Sequence, residues 1–225
     1  DWLDNREQDQ PFFLYLSHKA VHSQFQPAER HQGLYEGKEV VYPPSFDVPS
    51  YGIPELPSGD VDTEPLRGRD YYGENRIPDW VKQQRESWHG VDYMYHGDID
   101  FEQFFQRYTE TLMGIDESVG AVLDYLDANG LAEDTLVIYM GDNGFSFGEH
   151  GLIDKRHFYE ESAKVPLLVR WPSYLEGGAP IDSLVQNIDI APTILEAAGL
   201  AMPAHMQGAS FVPLLDRKEV AWRDR

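Results

Sequence analysis

The chain has 225 residues, of which 41% are hydrophobic, and this composition is typical of a folded globular protein. Its formal net charge of −21 argues against nucleic acid and anionic membrane surfaces as partners, because those partners favour basic proteins. The absence of cysteine excludes disulfides, and no apolar run approaches the ~20 residues that a membrane-spanning helix needs.

The first third of the chain combines one apolar run with a long irregular region. Residues 12–17 (FFLYLS) have the length and composition of a strand. His18 and His22 follow, and a histidine at a strand end can bind a metal, transfer a proton or hold an anion, although a structural role is the commoner alternative. Residues 27–79 are rich in Gly and Pro, which predicts an irregular surface insertion, and residues 78–90 predict a helix.

A long helix and a buried strand come next. Residues 99–128 place an apolar side chain at every third or fourth position, which predicts a helix with one core-facing stripe. Asn129-Gly130 is a good helix end, and residues 136–140 are an apolar run typical of a buried strand. Helix, turn and strand make half of a βαβ unit, so we expect an α/β fold with a mostly parallel sheet.

This strand stops at Gly141-Asp142-Asn143-Gly144, which we call the GDNG turn. Ligands of open α/β folds bind beyond the carboxyl ends of strands, and Asp142 and Asn143 offer hard oxygen atoms to a cation such as calcium. The alternative is a simple turn, because short polar side chains cap their own backbone. Positive groups follow in this acidic chain and suggest an anionic substrate: His150, Lys155, Arg156 and His157.

The last third predicts two more strands and a helix. Residues 166–171 (PLLVRW) predict a buried strand, and residues 184–185 predict a short one. Residues 189–198 predict a helix that begins at Asp189 as N-cap and ends at Gly199.

The motifs from residue 141 onward resemble the sulfatase family, within the alkaline-phosphatase-like superfamily. The matching motifs are GDNG, GEHG at 148–151, Asp154-Lys155, Tyr159-Glu160 and Val165-Pro166. The segment SWHGVDYMYHGDID at 87–100 makes the chain most similar to the N-acetylglucosamine-6-sulfatase-like group, which includes bacterial mucin-desulfating relatives. The resemblance covers essentially the whole chain and implies part of an α/β/α sandwich with a mostly parallel sheet.

The resemblance also implies roles for individual residues. Asp142 and Asn143 would ligate the divalent ion, usually calcium, and Lys155 would place its charge on the sulfate. His22 corresponds to the histidine of the family's Ala-Pro-His, which is Ala-Val-His in this chain, and is the best candidate to protonate the leaving alcohol. Two weaker candidates for contacts to sulfate or sugar are His150 and Arg156. Asp189 matches a structural Asp-Ile-x-Pro-Thr motif.

One part of the family pattern has no counterpart in this sequence. Sulfatases carry an earlier segment with two adjacent Asp ligands and a Cys or Ser that becomes formylglycine, whereas this chain has no Cys and no Ser-x-Pro-x-Arg. We therefore expect residues 1–225 to be the central and second half of the catalytic domain, without the nucleophile segment or the carboxyl-terminal subdomain. We expect such a chain alone to be inactive and to self-associate through uncovered apolar surface.

The implied activity of the parent protein is hydrolysis of sulfate esters on a sulfated carbohydrate of the N-acetylglucosamine-6-sulfate type, in glycosaminoglycan or mucin. By resemblance the compartment is periplasmic, secreted or lysosomal, and the sequence predicts no oligomeric state. A phosphodiesterase or phosphonate monoester hydrolase of the same superfamily remains an alternative, although Asn143 and Lys155 favour a sulfatase. A non-catalytic fragment that binds only metal or sugar is the other alternative.

Overall fold

The structure is a computed structural model that describes residues 2–7, 9–22, 25–46, 101–149, 153, 155–156, 158–175, 177–178, 180–218 and 220–223. It divides into two compact units: unit 1 comprises residues 1–42 and 62–119, and unit 2 comprises residues 43–61 and 120–225. The helices and strands of the described residues are α1 (Phe101–Ala128), β1 (Val137–Met140), α2 (Glu160–Ala163), β2 (Leu167–Arg170), α3 (Ile190–Ala197) and α4 (Val212–Leu215).

Helix α1 has the apolar stripe that its sequence predicts, and it contributes residues to both units. Ile115 and Leu126 are buried along this stripe. The helix ends where Gly130 adopts a φ of 66°, which glycine reaches without steric cost, and the amide of Leu131 donates back to the carbonyl of Leu126 at 2.8 Å. The predicted helix and its end are confirmed over the described residues.

In unit 1, Glu117 of α1 holds a short 3-10 turn, Glu29–His31, against the helix. Arg30 donates to both carboxylate oxygens of Glu117, and the ring Nε2 of buried His31 lies 2.7 Å from the carboxylate. These hydrogen bonds, with that from Arg30 the largest contribution, lower the pKa of Glu117 from 4.5 to about 2. The loop is therefore fixed to one turn of α1 through a carboxylate that stays ionised at neutral pH.

In unit 2, strands β1 and β2 pair antiparallel, with Val137 opposite Arg170 and Met140 opposite Leu167. The expected parallel pairing therefore does not describe these two strands, although the α/β class of the fold is correct. Residues 141–166 are long enough for a parallel crossover, so the connection alone does not set the direction of β2, and the chain returns antiparallel to β1. The carboxyl end of β1 consequently lies beside the amino end of β2.

Two predicted strands are not formed. Residues 12–17 and 184–185 have no regular secondary structure, because a strand forms only where a neighbour accepts its hydrogen bonds and no described segment pairs with either. Phe13 and Tyr15 are 66% and 81% exposed. Exposed apolar side chains of this kind underlie the expected self-association, which stays a prediction. The predicted helix at 78–90 and most of the 27–79 region lie outside the described residues, and residues 27–46 contain only turns and the 3-10 segment.

Asp189 precedes α3 as predicted, but its side chain does not cap that helix. The carboxylate is fully buried and accepts hydrogen bonds from the amides of Gln186 and Ala209, at 2.8 and 2.9 Å, and from the guanidinium of Arg223. Burial raises the pKa of Asp189, but these bonds, led by the one from Arg223, outweigh burial and hold the pKa below its usual range. Asp189 thus joins three separate segments of unit 2. Gly199, with a φ of 69°, ends α3 as predicted.

Within the part of the chain that the structure describes, no helix combines the length and the apolar character needed to cross a bilayer.

We predict that Arg30→Gln raises the pKa of Glu117 from about 2 toward 4.5, because the main source of the lowering is removed. The pKa is followed by the carboxyl chemical shift of Glu117 during an NMR pH titration. Arg107→Gln, which removes an exposed arginine from the same helix, is the control and should leave the midpoint in place. A midpoint that does not move in Arg30→Gln would refute this account of the cluster.

We predict that Asp189→Asn lowers the free energy of unfolding by about 3 kcal/mol, because it leaves the charge of Arg223 without its partner. Urea unfolding followed by circular dichroism measures the change. Asp182→Asn makes the same chemical change at an exposed position and should stay within about 0.5 kcal/mol of the parent chain. Equal losses in both variants would show that Asp189 does not join the segments as described.

Candidate active site

The GDNG turn begins directly after β1 and orders its own polar side chains. Asp142 accepts a hydrogen bond on Oδ1 from the amide of Asn143 at 2.9 Å, and Asn143 donates from Nδ2 to the carbonyl of Gly144 at 2.7 Å. These are the local bonds that a simple turn predicts. They leave Oδ2 of Asp142 and Oδ1 of Asn143 without a donor among the described residues.

Gly144 fixes this turn against α2. Its amide donates to the carbonyl of Ser162 at 2.8 Å, and a Cβ built on it would lie 2.0 Å from the carbonyl oxygen of Glu161. The neighbour is backbone, which cannot rotate away, so only glycine permits this approach. The positions of the Asp142 and Asn143 side chains therefore depend on glycine at position 144.

The free oxygen atoms of the GDNG turn are suited to bind a hard divalent cation. One carboxylate and one amide oxygen on consecutive residues, neither engaged by a protein donor, are ligands of the type that calcium takes. Asp142 is exposed and Asn143 is partly exposed, so both oxygens can reach an ion. Over the described ranges, no cluster of three or more His, Cys, Asp or Glu side chains could hold a metal. The turn thus offers two ligands of what would be a larger set.

The predicted basic residues differ in their burial and in their interaction partners. Lys155 is half-buried and forms no hydrogen bond or ion pair with the described residues, whereas Arg156 is exposed and has an interaction partner. His150 and His157 lie outside the described residues. A half-buried lysine whose ammonium group has no partner among the described residues is available to an anion, in a chain of net charge −21.

His22 lies in unit 1, whereas the other predicted site residues lie in unit 2. Its amide donates to the carbonyl of Lys19 at 2.9 Å, its side chain is exposed, and the preceding Ala20–Val21 peptide is cis. Nearby His18 is held on α1, since its Nε2 lies 2.8 Å from Oγ of Ser118. This contact agrees with a structural role for His18 and leaves His22 as the candidate proton donor.

A buried hydroxyl in the same loop, that of Ser146, is not among the residues predicted from the sequence. Ser146 is fully buried, and its Oγ has no hydrogen-bond partner, which is uncommon for a buried polar group. Phe145 and Phe147 flank it in sequence, and their rings contact each other with centroids 4.9 Å apart and an interplanar angle of 52°. A single serine between two phenylalanines was the available sequence signal.

Comparison with known proteins identifies relatives of this chain. The family described as N-sulphoglucosamine sulphohydrolase, C-terminal, matches residues 148–225. The N-acetylglucosamine-6-O-sulfatase of Bacteroides thetaiotaomicron is 30% identical over 97% of this chain and 44% of its own length. The N-acetylglucosamine-6-sulfatase of Homo sapiens is 29% identical over 99% of this chain and 36% of its own length. The chain spans less than half the length of these relatives.

Solved structures show the same likeness. A protein in complex with its substrate, D-glucosamine-2-N,6-O-disulfate, aligns with a TM-score of 0.74 and 28% identity over 99% of this chain and 52% of its own. The phosphonate monoester hydrolase of Agrobacterium radiobacter aligns with a TM-score of 0.52 and 29% identity, over 56% of this chain and 25% of its own.

The class defined by fold and sequence is therefore the alkaline-phosphatase-like α/β class. Within it, the chain is a relative of the sulfatases along nearly its whole length, and the similarity to N-acetylglucosamine-6-sulfatases seen in its motifs is confirmed.

We predict that Gly144→Ala lowers the free energy of unfolding by about 3 kcal/mol, since the new methyl group must displace the Glu161 backbone. Thermal and urea unfolding measure the loss. Gly120→Ala is the matched control, because a Cβ there meets nothing within 4 Å and alanine favours the helix. If Gly144→Ala is as stable as Gly120→Ala, the turn is not packed against α2 in this way.

Proposed function

We propose that the protein to which this chain belongs hydrolyses sulfate esters of sulfated sugars, of the N-acetylglucosamine-6-sulfate type, in glycosaminoglycan or mucin. One observation carries the proposal: the GDNG turn presents unengaged oxygens of Asp142 and Asn143 at the end of β1, in a chain similar over 97% of its length to an N-acetylglucosamine-6-O-sulfatase. The solved relative bound to a glucosamine disulfate supports the same class of substrate.

The carboxylate of Asp142 and the amide oxygen of Asn143 would hold a divalent cation, which we propose is calcium. When bound, such an ion withdraws negative charge from a sulfate oxygen. The GDNG turn sets the two ligands before any ion arrives, because its hydrogen bonds and the contact of Gly144 fix the backbone. The proposed nucleophile, formylglycine, forms from a Cys or Ser in Cys/Ser-x-Pro-x-Arg, a motif that residues 1–225 do not contain.

Lys155 would bind the anionic sulfate. Its ammonium group has no protein partner among the described residues, and a global charge of −21 makes a local cation necessary for such a substrate. Negative charge grows on the bridging oxygen as the S–O bond breaks, and Lys155 would stabilise this charge. His22 would protonate the departing alcohol, and His150 and Arg156 would contact sulfate or sugar.

We predict that Lys155→Ala in the natural protein lowers kcat/KM for N-acetylglucosamine-6-sulfate by about 10²–10³-fold, the usual cost of one electrostatic contact to the transition state. Release of inorganic sulfate measures the rate. Lys164→Ala removes a 79% exposed lysine side chain from the same unit, and this control should keep kcat/KM within about twofold of the parent. Equal rates in the two variants would exclude the role given to Lys155.

A second candidate, phosphonate monoester hydrolysis, is favoured by the structural likeness to the Agrobacterium radiobacter enzyme. The same cation and lysine would bind a phosphonate oxygen. Rates of the natural protein on N-acetylglucosamine-6-sulfate and on a phenyl phosphonate monoester separate the two activities. A higher kcat/KM for the sulfate ester supports our proposal, and a higher kcat/KM for the phosphonate ester overturns it. Binding of sugar without turnover of either ester would instead indicate a non-catalytic protein.

A further inference from the structure

An aromatic turn follows β2 at the end of the strand pair opposite the GDNG turn. Trp171-Pro172-Ser173-Tyr174 closes with a hydrogen bond from the amide of Tyr174 to the carbonyl of Trp171 at 3.0 Å, and proline at its second position favours such a turn. Because β1 and β2 are antiparallel, the four residues of β2 separate this turn from the GDNG end by roughly 13 Å.

The turn stacks its two terminal rings. The centroids of Trp171 and Tyr174 lie 4.4 Å apart with an interplanar angle of 19°, so each ring covers one face of the other. Tyr174 remains 38% exposed. Its hydroxyl donates to Oδ2 of Asp216 at 2.7 Å, which fixes the ring at its edge as well as at its face. The result is a rigid, flat apolar surface that costs little conformational entropy when a ligand binds.

Polar groups with a defined charge at neutral pH lie beside the ring of Tyr174. Lys218 also donates to Oδ2 of Asp216, and this bond, followed by the bond from Tyr174, lowers the pKa of Asp216. The same carboxylate raises the pKa of Tyr174 and of Lys218. At neutral pH the site therefore presents a carboxylate, a phenol and an ammonium group. Oδ1 of Asp216 accepts no bond from the described residues, and the Lys218 side chain is 66% exposed.

We propose that Trp171, Tyr174, Asp216 and Lys218 form a carbohydrate-binding platform. A pyranose ring has one apolar C–H face and a rim of hydroxyl groups. The C–H face matches the outer face of Tyr174, a hydroxyl donates to Oδ1 of Asp216, and another hydroxyl or a sulfate accepts from Lys218. An apolar partner would not match this surface, because it would leave the charges of Asp216 and Lys218 desolvated.

The choice of a glycan as the ligand rests on the proposed function. The platform would bind sugar units of the polymer other than the one that carries the reacting ester. The platform lies at the other end of β1 and β2 from Asp142, so it would hold a polymer without contacting the ester that is cleaved. It would therefore raise the affinity for oligosaccharides and leave hydrolysis of a monosaccharide sulfate unchanged.

The test measures binding of an N-acetylglucosamine tetramer, unsulfated and 6-O-sulfated, to the natural protein by calorimetry. Tyr174→Ala should raise Kd for both tetramers about tenfold, a loss of roughly 1.4 kcal/mol. Tyr174→Phe keeps the apolar face and removes only the bond to Asp216, so a smaller rise of about threefold is expected. Lys218→Gln should weaken binding of the sulfated tetramer more than of the unsulfated one. Tyr15→Ala removes an exposed tyrosine from unit 1 and should change neither Kd.

The outcomes separate the platform from the proposed activity. An unchanged Kd in Tyr174→Ala, or no binding of either tetramer by the parent protein, overturns the platform. Binding that depends on Tyr174 in a protein that releases no sulfate from any ester keeps the platform and overturns the proposed function. Thermal unfolding of Tyr174→Phe at the parent temperature shows that its change in Kd does not come from misfolding.

Discussion

The backbone of Gly144 lies directly against the Glu161–Ser162 peptide, and the candidate site depends on this contact. A strand end is free to open into many loop conformations, and ordering a residue costs about 1–2 kcal/mol of conformational entropy. The hydrogen bond to Ser162 and the exclusion of any side chain at 144 reduce that freedom. Asp142 and Asn143 are consequently held in one arrangement, with an oxygen of each directed to neither backbone nor neighbour.

Charge imposes the second constraint on the site. A chain of net charge −21 repels anions at long range, so recognition of a sulfate ester must be local. The proposed function would assign this role to Lys155, a half-buried lysine that no described carboxylate neutralises. Several other described basic groups are paired, such as Arg30 with Glu117, Arg170 with Asp127 and Arg223 with Asp189, and the unpaired Lys19, Lys38, Arg107 and Arg217 are exposed. Among the described cations without an ion pair, Lys155 therefore differs by being half-buried.

Features that depend on near neighbours in the chain were predictable. Helix α1 follows from its apolar period, β1 and β2 from apolar runs, and the turn at 141–144 from its glycines. Features set by distant segments were not. The antiparallel pairing of β1, the lack of a partner for residues 12–17 and the burial of Asp189 against Arg223 depend on contacts that no local pattern encodes. The candidate residues came from the motif resemblance. Local sequence alone could not identify them, because an Asp-Asn pair between glycines is compatible both with a metal site and with a simple turn.

The measurement that tests the central claim most directly is a calcium titration of the natural protein, with Asp142→Ala and the control Asp182→Ala beside it. Asp182 is an exposed aspartate of the same unit. We predict saturable calcium binding that is at least tenfold weaker in Asp142→Ala, a loss of roughly 1.4 kcal/mol, and unchanged in Asp182→Ala. Calcium binding of equal strength in all three proteins would contradict the assignment of the GDNG turn as a metal site.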